Sequence, residues 1–152
     1  MERALTVVES IDEDEELLRN AGELASNVDA TLVILSILTE EEYENNAETL
    51  ERIANRENTS YGNKTGLSIA RKPAEEAGET VLQEIDVEYE AVGVVVDSDS
   101  KSTKIIEVAE DRECDHVFIR GKRRSPTGKA LFGDTAQSVI LNFDGMITLA
   151  TE

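Results

Sequence analysis

At 152 residues the chain suits one domain spanning residues 1–152, long enough to bury a real core. A hydrophobic content of 39% beside 32% charged residues reads as globular and soluble, and the longest apolar run, TLVILSIL, is far too short to span a bilayer. The formal net charge of −18, from 33 acids against 15 bases, makes a surface that repels DNA, RNA and anionic lipid, so neither a nucleic acid nor a membrane is expected as partner.

The first element is a β-branched run, Ala4–Val8, which predicts a strand. Asp12 followed by Glu15 fits a helix N-cap with its acidic partner, and Leu17, Ala21, Leu24 and Val28 then recur at helical spacing. Thr31–Leu38 is a continuous apolar strand of the kind buried on both faces. Thr39 and Glu42 repeat the capping arrangement ahead of a second stripe, Tyr43, Ala47, Leu50 and Ile53. Asn58–Gly66 is rich in turn residues and reads as a connector. Ala74, Ala77, Val81 and Ile85 form the next helical face, with Pro73 expected in its first turn or kinking it.

Val87–Val96 is a third strand, and Asp97–Ser100 offer caps for a helix carrying Ile105, Ile106, Val108 and Ala109. His116–Ile119 is a fourth strand, a helix beginning near Asp134 or Thr135 carries Ala136, Val139 and Ile140, and Met146–Thr151 is the fifth strand. Strands alternating with helices predict an α/β fold, a parallel five-stranded sheet with helices on both faces. Ligands of such sheets sit at the carboxyl ends of the strands, which singles out the loops after Val8, Leu38, Val96 and Ile119.

The loop after the fourth strand is unlike the rest of the chain. Arg120, Lys122, Arg123, Arg124 and Lys129 fall within ten positions with no acid between them, punctuated by Gly121, Gly128 and Gly133. Glycines permit tight turns, Ser125–Gly128 fits a type I turn, and the amides of a helix start favour an anion. Basic side chains add charge-assisted hydrogen bonds to phosphate oxygens, so a phosphate-bearing small molecule is the natural ligand. The competing reading is that these cations pair with the protein's own acids. The segment is no P-loop: six residues separate Gly121 from Gly128, and Ala130 follows Lys129 where Ser or Thr belongs.

Other chemistry is sparse. His116 is the only histidine and Cys114 the only cysteine, which leaves no metal pattern, no triad and no internal disulfide, and fits a reducing cytoplasm. No base or nucleophile is convincingly placed, so no catalytic residue and no enzyme activity are expected. Asp97 and Asp99 lack the further acids and the terminal lysine of a phospho-acceptor receiver. The acids are spread through the chain, as in a solvated coat suited to high salt; a surface for a basic partner is the alternative.

The opening ALTVVES, the alternation of five strands with helices, and CDHVFIRGKRRSPTGKALFGDTAQSV resemble the universal stress protein family over essentially the whole chain, in its acidic, haloarchaeal form. The resemblance implies an adenine nucleotide alpha hydrolase-like sheet of strand order 3-2-1-4-5. It also implies homodimerisation through the last strand, Met146–Thr151, and, in many members, ATP or a related adenine nucleotide such as ADP or AMP as bound ligand with no required cofactor. The family's nucleotide motif is Gly, two residues, Gly, nine residues, Gly, then Ser or Thr. Gly121 matches the first glycine and Gly133 the last. Arg124 stands in the place of the second glycine, with eight residues and not nine between it and Gly133, and Asp134 in that of the Ser or Thr, with Thr135 next. Glu9 takes the position of the acid at the end of the first strand that meets the adenine or ribose, and Ile37 the second-strand position that meets the base. The nucleotide or phosphate site so implied comprises Glu9, Ile37, Gly121, Arg123, Arg124, Gly133, Asp134 and Thr135. The alternative is a member without nucleotide that acts through homodimerisation and contact with a protein partner.

Overall fold

The computed structural model describes residues 1–45, 64–121 and 133–151. Strand β1 (Arg3–Val8) leads into helix α1 (Ile11–Asn27), β2 (Thr31–Thr39) and α2, described over residues 40–45. There follow α3 (Lys64–Val81), β3 (Tyr89–Val96), a 3₁₀ turn (Ser98–Ser100), α4 (Lys101–Asp111), β4 (His116–Arg120), α5 (Asp134–Asn142) and β5 (Met146–Ala150). The strands form one five-stranded sheet, order β3-β2-β1-β4-β5, with every pairing parallel. That is the order and class expected. Among the described residues no helix is long and apolar enough to cross a membrane.

Alternation along the strands builds two cores. Leu5 and Val7 of β1, with Leu35, Val117 and Ile119, face α4 and α5, where Ile105 and Val139 close the layer. Ala4 and Val8, with Ile34 and Phe118, face α1 and α3, packing on Leu18, Ala21, Ala74 and Ala77. Each fully buried large side chain, such as Phe118, Ile34 or Leu18, contributes about 1.5–3 kcal/mol of transfer free energy. β2 is the continuous apolar run because it lies between two strands and under helices on both sides.

Several local expectations shift. α1 starts at Ile11 with Ser10 as N-cap, ahead of Asp12. Its buried face is Asp14, Leu17, Leu18, Ala21, Gly22 and Ala25, whereas Leu24 and Val28 are exposed. Lys64, Thr65 and Gly66, read as the end of a connector, already belong to α3, which leaves Pro73 deep inside the helix and not in its first turn. The third strand begins at Tyr89, not Val87; the fourth extends to Arg120, and the last stops at Ala150. Ala47, Leu50, Ile53 and the turn at Ser125–Gly128 lie outside the described residues.

The Thr39 cap is present: the Glu42 amide donates to the Thr39 hydroxyl at 3.2 Å, satisfying one of the donors a helix start leaves open. Thr39→Ala is expected to lower the free energy of unfolding by about 1 kcal/mol, read as an earlier urea midpoint at unchanged slope.

Candidate functional site

A cleft of about 440 Å³ opens at the carboxyl ends of β1 and β4, within the size range of small-molecule sites. Val7 and Ile119, the last apolar residues of the two strands on the side of α4 and α5, form part of its floor. Its walls are the starts of three helices: Glu9, Glu13 and Asp14 at α1, Ser98, Asp99, Lys101 and Ser102 around the start of α4, and Gly133, Asp134 and Thr135 at α5. Parallel strands bring this about, because each one delivers its following helix to the same rim of the sheet.

Asp14 organises the first wall. It is buried, and its Oδ2 accepts hydrogen bonds from the backbone amides of Glu9 (2.8 Å) and Ser10 (3.1 Å). Its Oδ1 accepts from Arg120, from Nε at 3.0 Å and also from Nη2. One carboxylate therefore ties the turn after β1 to the last residue of β4. Glu13 Oε2 lies 3.9 Å from the same guanidinium, a looser second counter-charge. The next residue, Gly121, is buried, and its amide donates to the Ala150 carbonyl at 2.9 Å, holding the chain beside β5 as it leaves the sheet.

On the opposite wall Lys101, the first residue of α4, donates from Nζ to Glu9 Oε1 at 3.2 Å. At α5, Gly133 is the N-cap with φ 86° and ψ 157°, a conformation essentially restricted to glycine, and its carbonyl accepts from the Gln137 amide at 3.0 Å. Asp134 occupies the first turn, where a negative charge suits the helix dipole.

The structure thus brings Glu9, Gly133, Asp134 and Thr135 to one cleft, with Gly121 adjoining it through Arg120. Ile37 is buried in the core on the same side of the sheet and does not line the cleft. Arg123 and Arg124 lie outside the described residues. Asp14 and Lys101 were not among the candidates. Both stand near strand ends, which is a usable signal, but each is one charge among many. Among the described residues, the stretch after β2 contributes none to the lining, although strand ends alone had nominated it.

His116 plays a structural part. Its Nε2 lies 2.7 Å from the Thr148 hydroxyl of β5, and its ring stacks on Phe118 at 4.5 Å. Burial pushes its pKa down, with Asp115 pulling the other way. Burial likewise pushes the Cys114 thiol up, away from the reactive thiolate. Among the described residues no group of three or more His, Cys, Asp or Glu side chains is placed to hold a metal ion.

A parallel sheet of order 3-2-1-4-5 with its cleft at the ends of the first and fourth strands defines an α/β domain of the adenine nucleotide alpha hydrolase-like class. The model of the universal stress protein family matches residues 1–149, and the chain belongs to that family. Among solved structures it is similar to the hypothetical protein MJ0577 (TM-score 0.67, 14% identity, covering 99% of this chain and 96% of that one). It is also similar to a universal stress protein in complex with cAMP (TM-score 0.59, 15% identity, 99% and 96%). A third likeness is to the universal stress protein of Archaeoglobus fulgidus in complex with dAMP (TM-score 0.53, 18% identity, 98% and 96%). At these identities the likeness is one of fold. No curated protein matches the chain.

Proposed function

We propose that this chain is a small cytoplasmic regulatory protein of the acidic, haloarchaeal kind, whose strand-end cleft binds an adenine nucleotide without turning it over. The observation that carries this reading is the convergence of Glu9, Gly133 and Thr135 on one cleft of nucleotide size. Two of its structural relatives hold cAMP and dAMP, which supports an adenine mononucleotide as the ligand class. The lone buried thiol suits a reducing compartment. The expected result is saturable heat on titrating AMP, dAMP, cAMP or ATP into the protein at high salt, with no ADP released from ATP on long incubation. Absence of heat with all four overturns the reading, and steady release of ADP overturns its non-enzymatic part.

A second reading is a member that carries no nucleotide and acts as a homodimer that docks a protein partner. Two observations favour it. Glu9 and Asp14 are already paired with Lys101 and Arg120, and β5 ends the sheet with Met146 exposed on it and Leu141 of α5 exposed nearby. An edge strand left open in this way invites pairing with a second copy. Native mass spectrometry of freshly purified protein separates the readings: retained ligand favours the first, and a ligand-free dimer favours the second.

A further inference from the structure

The described lining of the cleft carries five carboxylates, Glu9, Glu13, Asp14, Asp99 and Asp134, and two cations, Lys101 and Arg120. The two cations of the described lining differ sharply in their readiness to change partners for an entering anionic group. Arg120 is committed: two of its nitrogens bond a carboxylate that is itself buried and held by two backbone amides. Removing a partner from a buried pair of this kind costs on the order of a hundredfold or more in the equilibrium constant. Lys101 makes a single 3.2 Å bond to Glu9, with both side chains partly in water (25% and 36% exposed). An ion pair of that exposure is worth roughly fivefold or less.

The position of Lys101 also needs an explanation. It opens α4, where the helix dipole disfavours a cation, and the first turn of α4 holds no acid to offset it. The charge therefore gains nothing from the dipole of its own helix. Among the described residues its counter-charge is Glu9, from the far wall of the cleft.

We propose that Lys101 is a ligand-contacting, specificity-determining residue of this cleft. It receives the phosphomonoester group of the ligand, and Glu9 is the internal counter-ion that this group displaces. The assignment rests on the nucleotide reading given above. Lys101 retains N–H donors beyond the one given to Glu9, and a phosphate with several acceptor oxygens uses more of them than a carboxylate reached across the cleft. The pair thereby selects charge: a nucleoside leaves Glu9 in place, whereas a nucleoside monophosphate exchanges with it.

The test is calorimetric titration of AMP and adenosine into the wild type, Lys101→Met, Lys101→Arg and Glu9→Gln, with the melting temperature of each variant recorded. The wild type is expected to prefer AMP over adenosine. Lys101→Met should reduce that preference about tenfold, the loss of one charge-assisted hydrogen bond, with adenosine affinity and melting temperature near wild type. Lys101→Arg should keep most of the preference. Glu9→Gln, which frees Lys101 from its counter-ion, should raise the ratio of AMP to adenosine affinity, whatever it does to the contact with the sugar or base that both ligands share. An unchanged ratio of AMP to adenosine affinity in Lys101→Met or in Glu9→Gln overturns this assignment and leaves the nucleotide reading standing. Binding of neither ligand by the wild type overturns both.

Discussion

Asp14→Ala should destabilise the fold by about 3–5 kcal/mol, the range for removing one partner from a buried ion pair. Three consequences combine. The Arg120 guanidinium, mostly buried, loses the carboxylate that takes two of its nitrogens. The amides of Glu9 and Ser10 lose their acceptor at the entrance to α1. The end of β4 is no longer tied to the turn after β1. Asp14→Asn is expected to recover little, because an amide offers one carbonyl oxygen and presents N–H donors toward either the guanidinium or the backbone amides. In the double variant Asp14→Ala/Arg120→Met the loss should fall short of the sum of the single losses by about 0.5–3 kcal/mol, since the stranded charge has gone. Urea unfolding of the four proteins checks this, and strictly additive losses would show that the pair does not act as a unit. Because the pair shapes one wall of the cleft, the Asp14 variants should also bind nucleotide more weakly than Lys101→Met does.

The second large effect is at Gly93 in β3. A β-carbon there would sit 2.1 Å from the Arg71 nitrogen and 2.2 Å from the Ala70 carbonyl carbon, both backbone atoms of α3. Backbone cannot rotate aside as a side chain can, so Gly93→Ala forces the helix off the sheet at a cost of about 1–3 kcal/mol, and Gly93→Val should exceed it. The close approach has a visible cause. Ser36, the register partner of Gly93 on β2, donates its hydroxyl to the Ala70 carbonyl. Three residues on, Pro73 brings no N–H to the Ile69 carbonyl and crowds that turn of the helix. A side-chain hydroxyl thus ties the helix to the sheet at the point of close approach, one residue from the carbonyl that Pro73 leaves without its helical donor. Thermal melts of Gly93→Ala and Ser36→Ala check the arrangement; an unchanged melting temperature in Gly93→Ala would show that α3 lifts without cost.

The fold was legible because its signals are local and repeated. Runs such as Thr31–Thr39 declare a strand covered on both faces, and the regular return of helical stripes between strands dictates parallel pairing. The positions that misled are those where a distant partner overrides a local pattern. Asp12 and Glu15 form a correct capping spacing, yet α1 begins earlier, because Asp14 is drawn inward by an arginine 106 positions away. Leu24 continues the apolar stripe of α1 in sequence but is exposed in the fold. The site was half legible for the same reason. Gly133 announces itself as a glycine before a helix, whereas the Glu9–Lys101 pair spans 92 positions in a chain with 33 acids, and no spacing rule picks one of them out.

The strand order also constrains how the protein can be made. β1 lies at the centre of the sheet, but its two neighbours are far apart in the chain: β2 is complete at Thr39 and β4 begins only at His116. During synthesis β1 and β2 can pair early, while the other flank of β1 waits for some 76 further residues, about 4–15 s at ordinary elongation rates. Through that interval a strand edge destined for the middle of the sheet has no partner in the growing chain. It is then a target for mispairing with another nascent copy, and one that the dense negative charge around it works to keep apart.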